Sequence, residues 1–261
     1  MKRTRIDPKN LVFPAPFRHF LQSGAVYDSS CSPEARVFFL EKDGGYFLKC
    51  APKGTLAAEA KMTDYFYRKG LSVPVLEYLS LEKDWMLTPR LVGEDCTHAA
   101  YLAEPERLCD LLAVTLRRLH ETPAADCPVS DRMSAYFDTV EQNHRQGIFD
   151  SGYLMPRQQG MDADEAFALA MQGRMLLKDR SLLHGDYCLP NILLDGWRFS
   201  GFIDLGNGGV GDRHVDVYWG VWTLQFNLKT SRYADRFLDA YGRDKVDPAL
   251  LDVIGAAECF G

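Results

Sequence analysis

Apolar and polar positions follow two different rhythms along the chain. Near the start the runs are short and β-rich. ARVFFL at 35–40 and YFLKC at 46–50 flank Asp43-Gly44-Gly45, which predicts a hairpin around a glycine turn. VPVLEY at 73–78 and WMLT at 85–88 predict two further strands. Between these pairs, residues 55–67 set Leu56, Ala60, Met62 or Thr63, and Tyr67 on one face, which predicts a helix closed by Gly70. Residues 1–20 contain Pro8, Pro14 and Pro16 and predict a short helix or an extended arm.

Beyond Pro89-Arg90-Leu91-Val92-Gly93 the period lengthens to that of a helix. Residues 105–122 carry Leu108, Leu111, Leu112, Thr115, Leu116 and Leu119 as one apolar stripe, a core face and nothing more. Helical patterns return at 131–146, 163–178, 213–228, 231–241 and 247–259, and one strand-rich island lies at 182–204. An α+β protein is therefore expected: a small β-rich N-lobe (residues 1–90), a hinge near 88–95, and a larger, mainly helical C-lobe (91–261).

Composition narrows the functional classes. The 261 residues are 46% apolar and 25% charged, which excludes a largely disordered chain. Against 36 acidic residues stand 30 Lys and Arg, a net charge of −6 that argues against a general nucleic-acid binder. No apolar run approaches the ~18 residues of a membrane span, and none follows the basic start to make a signal peptide. Seven cysteines without a C-x-x-C pair, and histidines without an H-x-x-x-H pair, fit free thiols in a reducing cytoplasm better than a disulfide frame or a structural metal.

The chemistry concentrates in the island. It reads LLHGDYCLPNILLDGWRFSGFIDLGNGG from residue 182. Asp186 sits in a glycine-containing turn after a short apolar strand, and Asn191 follows five positions later. Asp195-Gly196 predicts a tight hairpin whose return strand ends at Asp204. That hairpin brings Asn191 and Asp204 to the same end, with Asp186 on the preceding loop. An amide oxygen and a carboxylate make hard-oxygen ligands suited to Mg²⁺ and phosphates, and a second carboxylate can orient and deprotonate a hydroxyl.

The string H-G-D-x-x-x-x-N followed by I-D-L-G resembles the catalytic and metal loops of the kinase superfamily. The Gly185 variant resembles its small-molecule branch. The wider text is similar to the aminoglycoside 3′-phosphotransferases (kanamycin kinases), through RRLH at 117–120, DCP at 126–128, HGDYCLPNI at 184–192, RFSGFIDLG at 198–206, ADRFLDAYG at 234–242 and the ending AAECFG.

The resemblance implies a bilobal protein-kinase-like fold, ATP or GTP with Mg²⁺, and a cationic aminoglycoside as the small-molecule partner of a monomer or weak dimer. It implies Asp186 as the residue that orients the acceptor hydroxyl and receives its proton, and Asn191 and Asp204 as Mg²⁺ ligands. Lys49 would pair with the phosphates, held by Glu59 in the following helix, and Phe47 would stack on adenine. The backbone from Pro89 to Leu91 would read the adenine edge, and the loop 29–32, with Ser30 and Ser32, would cover the phosphates. Glu258 and Phe260 would contact the acceptor. His184 reads as a structural loop histidine and Asp216 as a brace of the catalytic loop.

The chain departs from the family pattern at the acceptor end. Asn207 follows I-D-L-G where an arginine is usual, Ala257 replaces the first of two acids, and the stretch before the catalytic loop has its acids displaced to Asp162, Asp164 and Glu165. Two other functions compete: a kinase of another small hydroxylated molecule (a different antibiotic, a choline-like amine or a sugar), and a nucleotide-binding module without turnover. Joint retention of Lys49, Glu59, Asp186, Asn191 and Asp204 speaks against the second.

Overall fold

A computed structural model describes residues 3–8, 11–21 and 24–261. The chain forms two compact units: residues up to Asp95 together with Leu193–Gly206, and Cys96–Ile192 together with Asn207–Gly261.

The first unit is built on an antiparallel sheet of six strands in the order β1-β2-β3-β4-β6-β5. These are β1 (Thr4–Ile6), β2 (Val26–Asp28), β3 (Arg36–Leu40), β4 (Tyr46–Pro52), β5 (Glu77–Ser80) and β6 (Lys83–Pro89). The β3–β4 hairpin forms as expected around Asp43 and Gly44, both at positive φ. The arm before it contributes β1 and the short helix α1 (Arg18–Leu21). Alternation along β4 splits its side chains between two faces. Leu48 and Cys50 join Phe13, Phe17, Phe38, Leu40, Trp85 and Leu87 in one core, while Ala51 packs with Leu56, Ala60 and Met86 beneath helix α2 (Ala57–Arg68). The strand expected at 73–78 is displaced to β5. Pro74 has no N–H to give to a ladder, so pairing begins only beyond it.

The expected hairpin of the island is present as β9 (Ile192–Asp195) and β10 (Arg198–Phe202), with Gly196 at φ +61° in the turn. It makes a three-stranded sheet with β7 (Glu94–Asp95). Its grouping with the first unit has a visible cause. The Phe202 N–H donates to the Leu71 carbonyl at 2.8 Å, the Ser72 hydroxyl donates to the Phe202 carbonyl at 2.8 Å, and the Phe202 ring packs edge-on against Phe66.

The second unit is mainly helical: α3 (Ala99–Leu102), α4 (Pro105–His120), α5 (Arg132–Arg145), α6 (Ala163–Gly173), α7 (His214–Leu228), α8 (Ala234–Tyr241) and α9 (Pro248–Glu258). The leucine stripe of α4 is buried as expected, save for Leu111, which is half-buried. α6 stops earlier than the pattern at 163–178 predicted and passes into a 3₁₀ turn, Arg174–Leu176. Two short strands, β8 (Ser181–Leu183) and β11 (Gly209–Gly211), pair antiparallel beside the loop that carries Asp186. All seven cysteines are free thiols. No helix among the described residues is long and apolar enough to cross a membrane.

Asp84 anchors the start of α2, and so the helix that carries Glu59. Its side chain is fully buried, accepts from the Leu56 N–H (3.0 Å) and accepts from the Ser80 hydroxyl (2.7 Å). Replacing it by alanine strands both donors in the interior. Asp84→Ala is therefore expected to lose about 1–3 kcal/mol of stability, with Asp84→Asn losing less. Urea denaturation of the two variants checks this, and an unchanged midpoint for Asp84→Ala contradicts it.

Candidate active site

In the first unit one cation holds two carboxylates. Lys49 stands on β4, two residues after Phe47 and on the same sheet face. Its Nζ donates to both Glu59 oxygens, at 2.9 and 2.8 Å, and to Asp204 Oδ1 at 2.7 Å. Glu59 lies in the first turn of α2 with its side chain 7% exposed, so the helix delivers it to the ammonium, the pairing that the resemblance implied. Burial alone would push the Lys49 ammonium down. The Asp204 and Glu59 charges outweigh it and hold the group above its ordinary value. Asp204 follows β10 in the left-handed region (φ +57°), which aspartate tolerates better than most residues, and its side chain is half exposed.

The remaining first-unit candidates fall into place around this strand. Phe47 is half-buried against Phe39, ring centroids 5.2 Å apart. Pro89 ends β6 opposite Tyr46; Arg90 donates its N–H to the Gly45 carbonyl (2.9 Å), and Leu91 packs against Gly201. Ser30 and Ser32 are exposed. The Ser30 N–H donates to Asp28, the Ser30 hydroxyl accepts from the Val37 N–H, and the Ser32 side chain is hydrogen-bonded to Glu34.

In the second unit Asp186 and Asn191 are partners. Asn191 Nδ2 donates to Asp186 Oδ2 (2.8 Å) and to the Asp186 carbonyl (3.1 Å), which turns the amide oxygen of Asn191 away as a hard donor for a cation. The loop that presents Asp186 is fixed from beneath by Asp216. This fully buried carboxylate accepts from the His184 N–H (2.7 Å) and the Gly185 N–H (2.8 Å). His184 is buried and its Nδ1 accepts from the Asp186 N–H at 3.3 Å, a structural role as expected. Gly185 is required at its position on two counts: φ is +83°, and a Cβ there would lie 1.9 Å from the Asn207 carbonyl oxygen.

Glu258, which the resemblance implied as an acceptor contact, is buried. It is 5% exposed, and its Oε1 accepts from the Tyr136 hydroxyl (2.9 Å) and from Trp219 Nε1 (3.0 Å). Burial pushes its carboxyl up to about 8, with the nearby Asp186 charge in the same direction and the two donors and Arg132 opposing. Phe260 is a correction. It has no exposed surface and packs among His144, Phe149 and Phe167, so it supports the end of α9 from the core instead of offering a face to a ligand. Ala257 points into the same core. A carboxylate there would be buried among apolar side chains, so packing accounts for the alanine.

Sequence reasoning missed several members of this unit. Tyr136 and Trp219 cradle Glu258 from α5 and α7. His120, the last residue of α4, contacts Asp216 Oδ2 through Nε2 (3.2 Å) and the Tyr241 hydroxyl through Nδ1 (2.7 Å). RRLH at 117–120 was the one available signal for His120.

Residues 33–252 match the profile of the phosphotransferase enzyme family. A probable aminoglycoside 3′-phosphotransferase of Lactococcus lactis subsp. lactis (strain IL1403) is 45% identical, over 100% of this chain and 99% of the relative. An aminoglycoside 3′-phosphotransferase of Niallia circulans is 30% identical over 77% of this chain and 78% of its own. Among solved structures, an aminoglycoside-3′-phosphotransferase of type VIII superposes with a TM-score of 0.74 at 25% identity, covering 89% of this chain and 92% of that one. The aminoglycoside phosphotransferase APH(3″)-Id of Streptomyces rimosus, in complex with ADP and streptomycin, shares the fold at TM-score 0.69 and 22% identity, covering 90% of each chain. With a matched profile over most of its length and a full-length relative at 45% identity, this chain belongs to the aminoglycoside phosphotransferase family of kinase-like enzymes.

Proposed function

We propose that this enzyme transfers the γ-phosphoryl group of ATP, with Mg²⁺, to a hydroxyl of an aminoglycoside antibiotic. The observation that carries the nucleotide half is the Lys49–Glu59–Asp204 cluster, a cation fixed by one buried carboxylate and shared with one that is half exposed. Lys49 neutralises phosphate oxygens, Glu59 holds it, and Phe47, Pro89 and Leu91 receive the base, while Ser30 and Ser32 cover the phosphates. By the family resemblance Asn191 and Asp204 would supply one amide and one carboxylate oxygen to Mg²⁺, donors of the hard type that ion takes. When bound, the ion neutralises charge on the phosphates.

The chain's own residues do the rest. Asp186 accepts a hydrogen bond from the acceptor hydroxyl and takes its proton. The acceptor oxygen forms its bond to the γ-phosphorus as the bond from that phosphorus to the ADP oxygen breaks. The Asn191 amide keeps the Asp186 carboxylate oriented, and Asp216 keeps its loop in place. Almost all the rate gain in such a site comes from positioning and charge stabilisation, which suits so small a set of polar groups.

The acceptor half rests on the full-length relative and on Glu258. A carboxyl cradled by two neutral donors suits an ammonium, the group that aminoglycosides carry in number. Phe260 contributes only through packing, and Glu258 is the principal acidic anchor, so a narrower acceptor range or a higher KM than in acid-rich relatives is expected. Streptomycin belongs in the acceptor panel, because a streptomycin 3″-kinase of Streptomyces griseus is 30% identical over 69% of this chain.

Coupled ADP release across kanamycin, streptomycin and other hydroxylated amines tests the assignment. Stimulation by kanamycin supports it, and no stimulation by any aminoglycoside overturns it. In the same assay Asp186→Asn should cut kcat by roughly 10² or more with little change in ATP affinity, and Asp204→Ala should abolish the Mg²⁺-dependent rate. Wild-type kcat in either variant removes that residue from the mechanism.

The pH dependence follows from Glu258. Its proton is retained in the folded protein where an unfolded glutamate has released it. That contribution to stability is complete below the ordinary glutamate value and is lost as pH rises through about 8. Cation binding needs the ionised form. The acceptor KM should therefore fall as pH rises through about 8, and Glu258→Gln should flatten that dependence while raising KM. An identical KM–pH profile in Glu258→Gln contradicts the anchor.

A further inference from the structure

One turn of α5 carries, beside the Tyr136 that cradles Glu258, a charged side chain that the proposed roles leave unassigned. Arg132 and Tyr136 stand four residues apart, on the same face of the helix. Tyr136 donates its hydroxyl hydrogen to Glu258 Oε1 at 2.9 Å. Arg132 Nη2 donates to Asn207 Oδ1 at 2.8 Å. Asn207 presses in turn on the catalytic loop, since its carbonyl oxygen occupies the space that a Cβ on Gly185 would fill. Gly185 immediately precedes Asp186, and its N–H is held on the other side by Asp216 at 2.8 Å.

The loop is thus gripped from two directions. Asp216 fixes its amides, and the Asn207 backbone closes against Gly185. Arg132 is the charged side chain that holds Asn207 there. It is half-buried, and burial lowers its pKa from the ordinary value, with the charges of Tyr136 and Glu258 opposing. A guanidinium is suited to this work: it stays charged when partly desolvated and its planar fork fixes a direction, which a lysine ammonium does not.

We propose that Arg132 is a positioning residue of the phosphotransfer reaction, acting through Asn207 on the Gly185–Asp186 loop. The shared face of α5 then registers the acceptor anchor at Glu258 against the catalytic carboxylate. The inference rests on the phosphotransferase reading above and adds to it a division of labour along one helix turn. Arg132 governs kcat by placing Asp186, whereas Tyr136 governs acceptor binding by holding Glu258. Asn207, which stands where an arginine is usual in this family, here serves as the acceptor for an arginine supplied from α5.

The test is steady-state ADP release by the full-length enzyme, with kanamycin as acceptor and separately with water as the only acceptor. Arg132→Ala and Asn207→Ala should each lower kcat by roughly 10- to 100-fold, the scale of a catalytic group displaced by about an ångström. The acceptor KM should stay within about twofold, and the double variant should be no slower than the slower single, because both changes cut one connection. Arg132→Lys should recover only part of the loss. Tyr136→Phe should show the opposite split, with a raised kanamycin KM and kcat retained. Wild-type kcat in Arg132→Ala, additive losses in the double variant, or a KM effect alone would overturn the proposal. If Arg132→Ala does not fold, Asn207→Ala and Arg132→Lys carry the same comparison. If kanamycin is not turned over, the acceptor assignment fails by itself, and the water reaction still decides. A slowed water reaction in Asn207→Ala and Arg132→Lys supports the positioning role, and an unslowed one overturns it.

Discussion

The ammonium of Lys49 is the constraint around which the first unit is arranged. A buried cation is costly unless it is paired, and removing one partner of a buried pair costs about 3–5 kcal/mol. The sheet and α2 meet this by bringing both oxygens of Glu59 onto the charge, with two hydrogen bonds under 3 Å. Asp204 completes the cluster from the end of the β9–β10 hairpin. Because Asp204 remains half exposed, its carboxylate keeps oxygen surface for a further cation. Asp84 at the start of α2, and the Phe202 and Ser72 contacts that tie the hairpin to this unit, matter because they fix where these two carboxylates stand.

The second unit solves a different problem. The fold holds the Asp186 loop by its backbone and leaves the side chain to the Asn191 amide and the Cys188 thiol. Asp216 does most of this, and as a fully buried carboxylate it is satisfied by two backbone N–H groups and His120. Glu258 is the contrasting case. Burial keeps its carboxyl protonated to higher pH against the pull of two neutral donors, Tyr136 and Trp219. One fold thus holds carboxylates with different duties by giving them different partners, as tuned acid–base sites require.

How much of this was legible in the sequence depends on the range of the interaction. Local signals were reliable: Asp43-Gly44-Gly45 and Asp195-Gly196 marked both hairpins, and the leucine stripe marked the buried face of α4. The strand at 73–78 was misplaced because alternation outweighed the proline that bars pairing. Lys49, Glu59, Asp186, Asn191 and Asp204 were legible as a set only because their spacing resembles that of a known family, and Lys49 or Glu59 alone would read as an ordinary solvated residue. Phe260 was misread because the direction in which the last turn of α9 packs is set by α5 and α6, not by its own residues. Tyr136, Trp219 and Arg132 were invisible for the same reason. Their partners lie 122, 39 and 75 positions away, where no local pattern connects them.

The central claim is that the Lys49 cluster serves phosphoryl transfer to an aminoglycoside hydroxyl. Its most direct test is the product itself: kanamycin incubated with ATP, Mg²⁺ and enzyme, then read by mass spectrometry and phosphorus NMR. The wild-type chain should yield kanamycin bearing one phosphate monoester, and Lys49→Ala should leave it unmodified. Unmodified kanamycin from the folded wild-type enzyme, or the same phosphorylated product at an undiminished rate from Lys49→Ala, would contradict the account.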